Sequence, residues 1–311
     1  MYVGDEPMSR RTFALIAGGA TLLVLFALVG LTGTSLLPKG DVGAARALLT
    51  DVGAITFGVL AAAVLFFTAS RYRSDNPLQR IWLLLGTGVA TYAIGDIIWT
   101  VSEVRSHFGE VPYPSAADIP YLLFYAFMVA GLARAAKAFG RSAHVDRAVK
   151  LDIVIMFAFS AVVYAFVAAP IIVDAAASLP VKILGVTYPI ADIAALLGPA
   201  VFIAFVASSI SRTHCVRHWW VLAGGLVIMA LSDIAFTRLD WIGMYASGDL
   251  VDYAWMLSLL VIAVAGSMAA DVAVQQSAAT EPIAHAARLH ACEEIAAAPC
   301  RSGLVFLPPG V

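Results

Sequence analysis

Eight apolar stretches, each long enough to cross a bilayer as a helix, follow one another along the chain and leave little room for any other architecture. They lie near Thr12–Leu31, Ala47–Ser70, Arg80–Val104, Ala117–Phe139, Lys150–Ile171, Val186–Ser209, His218–Arg238 and Asp249–Ala270. About 30 Å of hydrocarbon requires about 20 residues of helix. The runs are continuous, whereas barrel strands alternate between lipid-facing and lumen-facing residues. Charge is correspondingly scarce. Of the 311 residues 13% are charged and 61% are hydrophobic, where a soluble domain carries about 25% charge. Mean hydropathy is +0.89. Too few ionic groups remain to cover a water-exposed surface, which excludes a soluble globular domain, a disordered chain and a nucleic-acid-binding domain. Three cysteines, Cys215, Cys292 and Cys300, form no disulfide framework and are expected as free thiols on the cytoplasmic side.

The bases set the orientation. Segments on one side of the eight spans hold 14 Lys and Arg, and those on the other hold 5. Cytoplasmic connections collect these residues, so both termini are expected in the cytoplasm, as an even number of spans requires. Ser9-Arg10-Arg11-Thr12-Phe13 has the look of a twin-arginine export signal. The apolar run behind it reaches about twenty residues without a small-residue cleavage site, and it reads better as an uncleaved first span. The expected organisation is a short cytoplasmic segment at 1–11, a membrane domain at 12–270, and a polar, Ala-rich tail at 271–311 that is largely disordered. Pro282–Ala297 is a candidate short surface helix within that tail.

The two halves, 12–139 and 150–270, echo each other. Phe67-Thr-Ala-Ser70, a basic loop, Ile81-Trp82 and Gly86 align with Phe205-Val-Ala-Ser208, a basic loop, Trp219-Trp220 and Gly224. After a one-residue slip, Gly95-Asp96-Ile97 and Trp99-Thr100 align with Ser232-Asp233-Ile234 and Phe236-Thr237. Four spans per half give both halves the same membrane orientation, a parallel repeat of the kind some transporters use. The expected fold is therefore all-α, a polytopic bundle of eight transmembrane helices in two parallel-related four-helix halves.

Function is sought in the acids. An ionisable side chain costs about 2.5–3.5 kcal/mol at the centre of an inserted helix and marks a candidate site. Asp51, Asp118, Asp192 and Asp252 lie near the start of inward-running spans, Asp96 and Asp233 in the last third of outward-running ones, and Asp152 alone at the cytoplasmic side. Helix capping and the helix dipole account for Asp118 and Asp249, and partly for Asp192 and Asp252. Neither accounts for Asp96 or Asp233, which need partners such as Arg105, Arg238, Trp99 or a ligand. Two readings stay open. The acids form structural hydrogen bonds and interhelical ion pairs, or they line an outward-facing polar pocket walled by Trp99, Tyr121, Tyr188 and Trp241. The candidate ligand-binding residues are Asp51, Asp96, Trp99, Asp118, Tyr121, Tyr188, Asp192, Asp233 and Asp252. Such a pocket suits a cation, a metal or an amine-bearing ligand. His214-Cys215-x-x-His218 is too short and lacks the second pair that a zinc site needs. Patterns for serine hydrolases, zinc proteases and nucleotide-binding loops do not occur, so no enzyme and no cofactor are expected.

Gly95-Asp96-x-x-Trp99, Pro114-Ser115-x-x-Asp118-x-x-Tyr121-Leu122, Leu151-Asp152, Tyr188-Pro189-x-x-Asp192 and Asp252-x-x-Trp255 follow in order. Across roughly residues 50–270 the series resembles the multi-span N-terminal region of actinobacterial diguanylate cyclases and cyclic di-GMP phosphodiesterases. That resemblance implies a sensor-like module in the bacterial plasma (inner) membrane. The catalytic GGDEF or EAL domains of that family have no counterpart in the 41 residues after Ala270. The expected function is a sensory or ligand-binding membrane module, surrounded by membrane lipid, that binds a small ligand or cation outside and signals to a separate cytoplasmic partner. The alternative is a small proton- or cation-coupled transporter using the same acids.

Overall fold

The computed structural model describes residues 8–32, 42–109, 111–140, 167–210 and 216–297, together with 154, 157, 158, 161, 162 and 165; at 31, 194, 195, 208–210 and 276–297 it describes the backbone alone. Every element among the described residues is helical: α1 (Arg10–Leu31), α2 (Val42–Ser70), α3 (Pro77–Arg105), α4 (Asp118–Gly140), α5 (Leu179–Ile190), a π-helical turn (Ala191–Leu197), α6 (Gly198–Ile210), α7 (Arg217–Trp241) and α8 (Leu250–Ala297). Among the described residues, seven helical segments are long and apolar enough to cross a membrane, with α5, the π turn and α6 forming one of them. This is the construction of a multi-pass membrane protein. The fifth predicted span, Lys150–Ile171, lies mostly outside the described residues, as do Asp152, His214 and Cys215.

Local chemistry sets the helix starts. Ser9 caps α1 by accepting the Thr12 amide at 3.2 Å. Asn76 accepts the Leu78 amide at 2.9 Å, with Pro77 supplying its preset φ in the first turn of α3. Before α4, Ser115 Oγ accepts the Ala117 amide and the Asp118 carboxylate accepts the Ser115 amide at 2.6 Å. This reciprocal arrangement satisfies donors that the first turn would leave free.

The chain divides into two compact units, Met1–Asp271 and Val272–Val311. In the first, α2, α3 and α4 pack in sequence, with Gly58 letting α2 approach Ala93 of α3 closely, as small residues do at helix contacts within membranes. α8 joins α2 and the turn after it through hydrogen bonds from Thr68 Oγ1 to the Gly266 carbonyl (2.8 Å) and from Tyr72 Oη to the Ala269 carbonyl (3.1 Å). Trp82 of α3 stacks on Trp219 of α7 with ring centres 5.4 Å apart. α1 is peripheral: little of its apolar stretch is buried, whereas about half of that of α3 is. It is held by Phe26 against Phe57 and by Thr12, whose hydroxyl donates to Asp271 at 2.8 Å. Outward-facing side chains such as Phe13, Val24, Ile119 and Leu231 suit contact with acyl chains. In the second unit the backbone of α8 is helical to Ala297.

The π turn interrupts the crossing formed by α5 and α6, where two prolines flank it. Pro189 sits inside α5, where its ring crowds the carbonyl of residue 185. Pro199, at the start of α6, has no amide to give to residue 195. The Gly198 amide instead bonds the Ile193 carbonyl, five residues back, so the backbone widens by one residue per turn.

Gly248, in the α7–α8 connection, is required twice over. Its φ is +100°, and a Cβ there would meet the Arg46 Cβ at 2.8 Å. Gly248→Ala is expected to destabilise the protein by about 1–3 kcal/mol, the usual cost of a strained backbone position. Gly224→Ala, in mid-helix with nothing near its Cβ, is expected to stabilise by about 0.5–1 kcal/mol. Reversible unfolding in mixed micelles distinguishes the two.

Candidate functional site

Near the end of the bundle that carries the α3–α4 and α7–α8 connections, five acids each accept a hydrogen bond from an aromatic side chain. Tyr121 Oη donates to Asp96 at 2.9 Å, Tyr125 to Asp192 at 2.7 Å, Tyr188 to Asp118 at 2.6 Å and Tyr245 to Asp252 at 2.9 Å. Trp255 Nε1 donates to Asp233 at 2.7 Å. The first three of these pairs, and the Trp255–Asp233 pair, join different helices; the Tyr245–Asp252 pair ties the α7–α8 connection to the first turn of α8. A hydrogen bond to a charged group contributes about 1.5–3 kcal/mol, which offsets part of the cost of placing a carboxylate among apolar helices.

The aromatic donors themselves touch. Tyr188 lies against Tyr125 (ring centres 5.9 Å), Tyr125 against Phe124 (5.1 Å), Phe124 against Tyr92 (5.3 Å) and Tyr92 against Tyr121 (5.1 Å). On the other side, Phe236 packs between Trp255 (5.5 Å) and Tyr245 (4.8 Å). Acids and rings thus form a ribbon through the helix interior.

Asp192 is at its centre. The π turn carries it to a position 1% exposed, where its carboxyl group faces that of Asp233 from α7 within hydrogen-bonding reach. Asp192 Oδ2 and the nearby Asp96 Oδ2 are buried without a hydrogen-bond partner. The one ion pair among the described residues joins Arg73 and Asp75, both exposed, in the α2–α3 loop. Arg105 and Arg238, candidate partners from the sequence for Asp96 and Asp233, pair with neither among the described residues; Asp96 accepts from Tyr121 and Asp233 from Trp255 instead. Asp96 and Asp233 also accept no help from the helix dipole, and each has a threonine four residues on (Thr100, Thr237) whose hydroxyl returns to its backbone carbonyl.

Of the candidates read from sequence, Asp96, Tyr121, Asp118, Tyr188, Asp192, Asp233 and Asp252 enter this ribbon. Trp99 is half-buried one turn beyond Asp96, and Trp241 is half-buried at the end of α7. Asp51 belongs to a second cluster, with Glu103 of α3: the two carboxyl groups are within hydrogen-bonding reach, and the Thr100 hydroxyl is beside them. Three contributors, Tyr125, Glu103 and Tyr245, went unmarked in the sequence, and Trp255 stood there only as part of the Asp252-x-x-Trp255 motif. Helical spacing carried a signal for two of them. Tyr125 follows Tyr121 by one turn, and Glu103 follows Asp96 by two. In the connections outside the spans, burial and the Asp118 charge push the Tyr113 phenol up, and burial with the Asp252 charge does the same to Tyr245. Tyr245 therefore stays a donor through the neutral range.

Compared with known protein families, with curated proteins and with solved structures, the chain matches none. Among the described residues no three His, Cys, Asp or Glu side chains converge as ligands of one metal ion. A cleft of about 330 Å³ lies elsewhere, between α1, α2 and α8, with Arg11, Phe67, Ser267 and Asp271 on its walls.

Proposed function

We propose that the chain is an integral membrane sensory module whose input element is the acidic–aromatic ribbon, responding to a proton or small cation from the external side. The observation that carries this reading is the Asp192–Asp233 pair. Two carboxyl groups face each other in the interior, with no base paired to them among the described residues, and a buried like-charged pair is costly unless a proton or cation lies between its members. Each remaining Oδ1 is held by a donor on another helix, Tyr125 on α4 and Trp255 on α8. Gain or loss of charge at the pair therefore acts on four helical segments at once, the π turn, α4, α7 and α8. The π turn beneath Asp192 is the element best suited to change its arrangement, since its hydrogen bonds are already out of the α register. Output would pass to a separate cytoplasmic partner, the role that the resemblance of the Asp96, Asp118, Asp192 and Asp252 motifs also implies.

In lipid nanodiscs, the unfolding temperature of the wild-type protein is expected to depend on pH and on monovalent cation. Asp192→Asn and Asp233→Asn should each flatten that dependence while leaving the protein folded. Wild-type behaviour in both variants would remove the pair from the mechanism.

A second reading, a small proton- or cation-coupled carrier, is favoured by the broken crossing at Ala191–Leu197, because transporters place coupling-ion sites at unwound helices. Proteoliposomes loaded with a pH-sensitive dye separate the two: sustained flux that Asp192→Asn abolishes makes the protein a carrier.

A further inference from the structure

We infer a second binding site, for one divalent, oxygen-seeking cation, at Asp51 and Glu103. It is separate from the Asp192–Asp233 pair and does not depend on the function proposed for that pair.

Asp51 comes from α2 and Glu103 from the last turn of α3, and their carboxyl groups face each other. Glu103 is 6% exposed. Its Oε1 accepts from Ser247 Oγ at 2.5 Å, while Oε2 is buried with no partner. Asp51, half-buried, likewise leaves Oδ2 without a partner. Two neighbouring carboxyl groups on adjacent helices thus each keep one buried oxygen without a hydrogen-bond donor, next to two hydroxyls, those of Thr100 and Ser247.

The charges around the site favour a divalent ion. Asp252 adds a third carboxylate within electrostatic range, but both its oxygens are taken, by Tyr245 and by the Gly248 amide at 2.5 Å. It contributes charge rather than a ligand. Arg46, the base of α2 nearest to Asp51 in sequence, directs its Nε to the Gly30 carbonyl at 2.9 Å, and no ion pair joins it to either acid among the described residues. Two carboxylates, neutral hydroxyls and bound water form the set that Mg²⁺ accepts, since it keeps several waters and takes one or two carboxylates; Ca²⁺ accepts the same oxygens at slightly longer distances. Asp51 is the exposed member and Glu103 the buried one, so an ion reaches the first before the second. Bound there, it would clamp α2 to the end of α3 and, through Ser247, to the α7–α8 connection.

The test uses the full chain in phosphatidylcholine nanodiscs, with MgCl₂ and CaCl₂ titrated at constant ionic strength. At least one of the two cations is expected to raise the wild-type unfolding temperature saturably. Asp51→Asn and Glu103→Gln should each weaken the apparent affinity by more than about tenfold, since even an outer partner of a metal ligand contributes that much. Asp75→Asn, an exposed acid in the α2–α3 loop, should respond as the wild type does. If Glu103→Gln does not fold, Asp51→Asn carries the test alone, its side chain being half-exposed. A wild-type protein indifferent to both cations overturns the site, and so does a wild-type response in the folded acid variants.

Discussion

Trp82→Ala is expected to lower stability by about 3 kcal/mol or more, the usual cost of removing a fully buried aromatic side chain. Trp82 has no exposed surface. It stacks on Trp219 at 5.4 Å and contacts His218 at 5.9 Å, while Trp219 in turn meets Phe139 of α4 at 5.4 Å. One side chain therefore helps join α3, α7 and α4. In lipid there is little hydrophobic driving force between helices, so the loss is one of packing, and a cavity between three helices has no inexpensive way to collapse. Trp82→Phe is expected to cost much less. The indole nitrogen has no hydrogen-bond partner, so the phenyl ring forgoes only contact area. Reversible unfolding in mixed micelles measures both, and equal losses for Ala and Phe would show that the indole nitrogen matters after all.

Gly95→Leu is expected to have the second large effect, this time on the acidic–aromatic ribbon. A Cβ at Gly95 would run into the Tyr121 ring, and Tyr121 is the side chain that reaches back to Asp96. The leucine must displace it. Asp96 would then have neither oxygen partnered in the interior, at about 1–3 kcal/mol for a lost partner of a buried polar group, with about 1–3 kcal/mol more for overpacking. Tyr121→Phe removes the hydrogen bond alone. In a double-mutant cycle the two substitutions should be strongly non-additive, because both abolish one interaction. Additive losses would mean that Gly95 acts through something other than Tyr121.

How much of this was legible beforehand differs by element. Seven of the spans were, because continuous apolar runs of about twenty residues have a single physical solution in lipid. The candidate acids were also visible, since a carboxylate inside a span stands out against its neighbours. Their partners were not. From sequence, Asp96 and Asp233 needed partners such as Arg105, Arg238, Trp99 or a ligand, whereas packing supplies Tyr121 and Trp255. A guanidinium near the end of a helix keeps its hydration by turning to the membrane surface, which leaves the interior to neutral donors. The break at Ala191–Leu197 was legible only in part: Pro189 and Pro199 stand in the sequence, but a proline only removes one hydrogen bond, and whether the helix kinks, ends or widens depends on what packs around it.

From its sequence alone this chain is determined as an all-helical, multi-pass membrane protein with acids placed inside its spans. Hydropathy and span length are properties of each segment by itself, so no knowledge of neighbours is needed to read them. Which aromatic group meets which acid was decided only in three dimensions. Tyr125 and Asp192 are 67 residues apart, and Ser247 and Glu103 are 144 apart. Such pairs exist because helices pack at particular rotations and depths, set by contacts such as Gly95 beneath Tyr121 and Gly248 against Arg46, and no segment carries that information on its own.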